Sequence, residues 1–135
     1  MRQAILADTG PLYAAADRSD QYHRRAQAEL GQLHEQGMEI WIAYPTLLEA
    51  YTLVLRRLGG PTARAWLGEV LAGGGLINPN PADYSEAARL TGEFSSLTLT
   101  LFDTVVAALS KRLGLAVWTY DHHFRLLEVE AWSGR

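Results

Sequence analysis

Asp8, Glu49, Asp103 and Asp121 are the residues whose types and positions could do chemistry. A cluster of carboxylates repels itself unless a cation neutralises it or some members stay protonated. The chain has no cysteine, and none of its histidines pair at helical metal-ligand spacing. A metal at these acids would therefore be held by oxygen alone, which favours a hard cation, Mg²⁺ or Mn²⁺. Such ions hold substrate phosphates, lower the pKa of a bound water and stabilise charge on a leaving oxygen. The chemistry that follows is phosphodiester hydrolysis. Each acid also has a plain structural reading. Asp8 suits a turn or helix cap, Glu49 a solvated helical position, Asp103 the N-terminal end of a helix dipole, and Asp121 the cap of a short turn. The two readings part on whether the fold brings the four acids to one place.

The elements that would position them can be read from pattern. Ala4 to Ala7 is a short apolar run that meets Asp8, Thr9 and a Gly-Pro pair. It reads as a central parallel strand, buried on both faces, with Asp8 at its carboxyl end. In open α/β sheets, ligands bind in the crevice beyond that edge. Residues 10–16 suit a short helix. Residues 20–35 suit a longer one, with Tyr22, Ala26, Leu30 and Leu33 as its apolar positions. Residues 39–43 form a second strand. Tyr44-Pro45 opens a helix to about Leu58, with Glu49 one turn inside and Leu48, Tyr51, Thr52 and Leu55 as an apolar flank. Another helix follows Pro61 and stops at Gly73-Gly74-Gly75, before a short third strand at 76–78.

Asp83-Tyr84-Ser85-Glu86 has the form of a capping box. Leu101, Val105, Leu109 and Leu113 recur every four residues in a helix closed by Gly114, with Asp103 in its first turn. Residues 115–120 read as the fourth strand, which Asp121 closes. His122 to Arg125 is a turn or short helix, and residues 126–129 a weak edge strand. Strands alternating with helices predict a parallel sheet with right-handed crossovers, covered on both faces. Parallel strands and the helices that follow them place all four acids at one sheet edge.

No repeat or linker divides the 135 residues, so one domain over 1–135 is expected. Composition is that of a globular protein, with no run long enough for a membrane helix. The N-terminus leads directly into the first strand and leaves no room for a signal peptide, and the lack of cysteine fits the cytoplasm. The net charge of −3 lacks the positive excess common in nucleic-acid binders. Eleven of the twelve basic residues are Arg, the side chain best suited to phosphate.

An early strand ending Asp-Thr, a helical Glu well downstream, an Asp opening a late helix, and a strand ending Thr-x-Asp-x-x-Phe together resemble the PIN domain family. The likeness is nearest to the VapC-like ribonuclease toxins of toxin–antitoxin pairs. The matching segments are ILADTGPLYAAAD, PTLLEAYTLVLRRLG and LFDTVVAALSKRLGLAVWTYDHHF. The resemblance implies a three-layer α/β/α sandwich with a mainly parallel sheet of four or five strands. It implies a Mg²⁺- or Mn²⁺-dependent endoribonuclease with Asp8, Glu49, Asp103 and Asp121 as its acidic site. It also implies an RNA substrate, a cognate antitoxin and a homodimer, with Thr9 and Thr119 near the site. Three acids, Asp8, Asp103 and Asp121, would bind one ion, with Glu49 as ligand or as base for the attacking water, leaving a 5′-phosphate. The chain departs from many relatives at His123, where they carry a further acid.

Arg56, Arg57, Lys111 and Arg112 are candidates to hold flanking phosphates, and also fit as solvated helix ends. His122 and His123 are candidates to touch RNA, and also fit a surface turn. Two other strand-end Asp families are excluded. Haloacid-dehalogenase phosphatases need a second Asp where Gly10 stands, and receiver domains need a late Lys where Asp121 stands. The remaining alternative is a non-catalytic PIN-like module that binds RNA or protein.

Overall fold

In a computed structural model of the chain, which describes residues 3–132 and 134, five parallel strands lie between two layers of helices. In chain order the elements are β1 (Ala4–Ala7), α1 (Thr9–Ala16), α2 (His23–Glu35), β2 (Glu39–Ala43), α3 (Tyr44–Leu58), α4 (Gly60–Gly73), β3 (Leu76–Ile77), α5 (Pro81–Glu93), α6 (Leu101–Leu113), β4 (Ala116–Trp118), α7 (His123–Leu126) and β5 (Ala131–Trp132). The sheet order is β3-β2-β1-β4-β5, so the first strand is the middle one. Ile5 is in register with Ile40 on one side and Ala116 on the other. This is the parallel α/β/α sandwich that the sequence predicts. Among the described residues no helix is long and apolar enough to cross a membrane.

The continuous apolar run of β1 has a direct cause. Leu6 packs into one core with Leu90, Val106, Leu109 and Phe124. Ile5 and Ala7 pack into the opposite core with Ala26, Leu33, Leu47 and Trp118. The strand has no solvent face, so it cannot alternate apolar with polar. Each large side chain buried this way contributes roughly 1.5–3 kcal/mol. Gly75 lets β3 approach β2: its φ is +74°, and a Cβ there would stand 2.5 Å from the Ile40 carbonyl oxygen. Gly114 closes α6 in the left-handed conformation, at φ 66°.

Several local expectations shift. The capping box lies one turn before Asp83-Glu86. Asn80 Oδ1 accepts from the Asp83 amide and Asp83 Oδ2 accepts from the Asn80 amide, each at 2.8 Å. Pro81 then takes the first helical position, where no amide donor is needed. The buried face of α3 is Thr46, Leu47, Ala50 and Val54. Leu48 and Leu55, expected on the apolar flank, are 64% and 41% exposed. Both sets have helical spacing, and the angle at which α3 leaves β2 selects between them. Residues 126–129 are not the edge strand. Phe124 and Leu127, three apart, turn into the core as a helical pair, and the edge is β5. Strand β4 stops at Trp118, so Asp121 lies in the turn beyond it rather than closing it.

Candidate active site

Asp8 is where the sequence places it, immediately beyond the central strand. It occupies the N-cap position of α1 but makes no capping hydrogen bond with its side chain, so the cap reading is not its role. Its Oδ2 instead accepts from the Thr119 hydroxyl at 2.9 Å. The Asp8 amide donates to the Trp118 carbonyl at 2.9 Å, which holds the ends of β1 and β4 together. Only 8% of Asp8 is exposed. Burial pushes its carboxyl up to about 7, against hydrogen bonds from Thr119 and the Thr9 amide that favour the charge. The charges of Asp103 and Glu49 push it further the same way. Asp103 and Glu49 are thus near enough to Asp8 for their charges to act on it.

Glu49 is half-buried one turn inside α3. The Thr9 hydroxyl donates to its Oε1, linking the first residue of α1 to α3. Its pKa is also raised, by burial first and by Asp103 in addition, against the Thr9 bond. Asp103 is the third residue of α6 and is half-buried. Its Oδ2 accepts from the Thr100 amide at 2.9 Å, and its own amide donates to Thr100 Oγ1 at 3.2 Å. This reciprocal pair sets where the helix starts, and so sets the height of Asp103 above the sheet. Asp121 is tied to Asp8 through one intermediate residue. Its amide donates to Thr119 Oγ1 at 3.0 Å, and that hydroxyl donates to Asp8. The Asp121 carboxylate accepts from the His123 amide at 2.9 Å and lies 3.1 Å from His123 Nδ1.

Among the described residues no three carboxylates stand close enough to grip one ion as they lie, because each is held by a neighbour. The donor set still suits a hard divalent cation. Every candidate donor is oxygen, Asp8 is desolvated, Glu49 and Asp103 raise the cost of the Asp8 charge, and Asp103 raises that of Glu49. A cation is the neutraliser that such a set accepts without protonation.

The basic residues weighed as phosphate holders fit their other reading, as helix ends. Arg56, Arg57, Lys111 and Arg112 sit in the last turns of α3 and α6, about two helical turns from Glu49 and Asp103. Arg112 is taken up by Asp83, with Nε to Oδ1 at 2.7 Å and Nη2 to Oδ2 at 2.8 Å. Arg57 lies over the Tyr13 ring at 5.0 Å. His122 is exposed, and its ring lies 4.4 Å from that of His123.

One acid escaped the sequence reading. Glu29 is 4% exposed in the middle of α2. Its Oε1 accepts from Trp118 Nε1 at 3.0 Å and from the Tyr120 hydroxyl at 2.6 Å, and its Oε2 from the Gly134 amide at 3.1 Å. Burial pushes its pKa up, but the donors from Tyr120, Trp118 and Gly134, with Arg25 nearby, outweigh it and hold the group below the ordinary range. The signal was its spacing: Ala26, Glu29 and Leu33 share the inward face of α2. Glu29 anchors the residues on both sides of Thr119, the residue that holds Asp8.

The PIN domain model matches residues 5–129. The chain belongs to the PIN domain family. This PIN domain is similar in structure to VapC20 of Mycobacterium tuberculosis, a toxin that cleaves the sarcin–ricin loop, at 18% identity and a TM-score of 0.83, with 96% of this chain and 99% of that one covered. It is similar to VapBC2 of Rickettsia felis bound to promoter DNA, at 15% identity and a TM-score of 0.76, covering 97% and 98%. It is similar also to PAE2754 of Pyrobaculum aerophilum, at 24% identity and a TM-score of 0.69, covering 98% and 92%. At these identities the likeness is one of fold. No curated protein sequence matches the chain.

Proposed function

We propose that this PIN domain is a metal-dependent endoribonuclease, acting as the toxin of a toxin–antitoxin pair. The observation that carries the reading is the buried Asp8 carboxylate at the carboxyl edge of the central strand, coupled by charge to Glu49 and Asp103. A group so expensive to ionise has no evident structural use there, since it caps nothing.

Asp8, Glu49, Asp103 and Asp121 are the residues that would hold Mg²⁺ or Mn²⁺. When bound, such an ion neutralises the carboxylates, orients a phosphodiester and stabilises charge on its leaving oxygen. The chain's own residues do the rest. Thr119 fixes Asp8, and Asp121 is fixed through the same hydroxyl. Thr9 holds Glu49 facing α1, so that the free carboxylate oxygen can take a proton from the attacking water. The water oxygen bonds to phosphorus and the bond to the 3′ oxygen breaks. The 3′ oxygen leaves with a proton from solvent, and the products are a 3′-hydroxyl and a 5′-phosphate.

A homodimer is part of the proposal. Leu48 and Leu55 on α3 and Leu101 and Phe102 at the start of α6 are exposed, and α3 packs beside α6. These are the exposed apolar side chains that a second copy would cover. The antitoxin partner is proposed from the family's toxin relatives, among them a toxin–antitoxin complex from Klebsiella pneumoniae.

The test is cleavage of a structured RNA pool with Mg²⁺, Mn²⁺ or EDTA, beside Asp103→Asn. Cutting that needs metal and vanishes in the variant is expected. A non-catalytic binding module is the rival, favoured by carboxylates that do not converge as they lie. Metal-independent silence of a well-folded wild type, free of copurified protein, would establish it.

A further inference from the structure

Beside Asp121 lies a group of stacked side chains that the proposed chemistry leaves unused. The Tyr120 ring has the Arg25 guanidinium over it, 4.3 Å from the centroid. Tyr22 packs against the same ring, with centroids 5.1 Å apart and planes tilted by 48°. Tyr120 itself is anchored. Its hydroxyl is bound to the buried Glu29, which also receives Arg25 Nε at 3.4 Å. The Tyr22 backbone is held as well, because its amide donates to Asp20 Oδ1 at 2.8 Å. The outer members face solvent: Tyr22 is 41% exposed and the Arg25 side chain 49% exposed.

We infer that Tyr22 and Arg25, backed by Tyr120, form a stacking platform for an unpaired nucleobase of the RNA next to the cleaved phosphate. The occupant follows from three features. Tyr120 lies in the chain between Thr119, whose hydroxyl holds Asp8, and Asp121, so the platform is anchored one residue from each. Aromatic rings and guanidinium planes are the surfaces on which unstacked bases rest. And Arg25 brings a guanidinium plane to the Tyr120 ring, while the basic residues of α3 and α6 lie in the last turns of those helices. Tyr120 is already fixed by its bond to Glu29, which lowers the ordering cost of binding. This inference rests on the nuclease reading for its choice of RNA as occupant.

The experiment compares wild type, Tyr22→Leu and Tyr22→Phe in binding a labelled single-stranded RNA oligonucleotide by anisotropy in EDTA, where metal-dependent cutting is off. Tyr22→Leu is expected to weaken binding on the order of tenfold, and Tyr22→Phe to restore it. Thermal melts of all three check that the fold is kept, since the Tyr22 ring packs on that of Tyr120. With Mg²⁺ and cleavage as readout, the same loss should appear in KM while kcat holds. Equal RNA binding by wild type and Tyr22→Leu, or no RNA binding by wild type, overturns the platform. So does a Tyr22→Leu defect confined to a protein partner. Wild type that binds through Tyr22 yet cuts no RNA keeps the platform and defeats the nuclease reading, so the two can fail separately.

Discussion

Replacing Asp8 by Asn tests whether the acid is strained by its surroundings. The asparagine keeps the shape, and its carbonyl oxygen still accepts from Thr119. What it removes is a charge the fold desolvates. The folded pKa of Asp8 is about 7 against an ordinary 3.8. That difference sets a ceiling of roughly 4 kcal/mol on the cost of ionising Asp8 at high pH, and local relaxation brings the expected value to about 2–4 kcal/mol. The sign follows from proton counting. Between the unfolded and folded values the native state holds a proton that the unfolded chain has lost, so stability falls as pH rises. It is fully present below about pH 4 and the loss is complete above about pH 7. Asp8→Asn lacks this component. In EDTA at pH 8 it should therefore melt about 7–14 °C above wild type, and the gap should close toward pH 4. Thermal melts and urea titrations across pH 4–8 measure it, with wild type minus variant cancelling the other titrating groups. Adding Mg²⁺ should then raise the melting temperature of wild type more than that of the variant. A variant no more stable than wild type at pH 8 refutes the argument from desolvation. A gap that persists unchanged to pH 4 refutes its assignment to the Asp8 proton.

Glu49→Gln should abolish RNA cleavage, with a loss of at least about a hundredfold in kcat, because the amide cannot take a proton; single-turnover assays read it, and retained kcat would remove Glu49 from the reaction. Glu29→Ala should cost about 2–4 kcal/mol by urea denaturation, since Trp118, Tyr120 and Gly134 donors lose their acceptor inside the protein. Because the Glu29 pKa is lowered on folding, its contribution is present above the ordinary carboxylate value and lost as pH falls through the folded one, so the variant should show a shallower acid transition. Arg112→Met should cost about 1–3 kcal/mol by leaving the buried Asp83 without its cation, yet leave cleavage unchanged, which a paired melt and nuclease assay would check. Leu48→Asp should shift the protein toward monomer in light scattering, and an unchanged mass would move the dimer surface away from α3.

Much of the fold was legible because the signals that carried it are local. The run at β1 is apolar without alternation, which only a two-sided burial tolerates. The every-four repeat from Leu101 to Leu113 could belong only to a helix. Its start, fixed by the Thr100–Asp103 capping box, came from the structure. What misled was also local. On α3 two residue sets share the helical period, and on the segment after Asp121 a short apolar run suits strand or helix equally. The Asp83-Glu86 capping box had the right residue types one turn too late, because Asn80 and Pro81 compete for the same helix start.

By itself, the sequence determined the alternation of strands and helices, the parallel sheet with β1 inside it, and the edge at which Asp8, Glu49 and Asp103 arrive. Side-chain period and helix termini act over a few residues and do not need the rest of the chain. Only the tertiary structure decided which hydroxyl holds which carboxylate, that Glu29 is buried and satisfied, and that Arg112 belongs to Asp83 rather than to a substrate. It also decided that Tyr22 and Arg25 stack on Tyr120, the residue before Asp121. Those are pairings between residues far apart in the chain. Their energies depend on distances of a few ångströms that no local pattern encodes, because the packing of whole elements sets them.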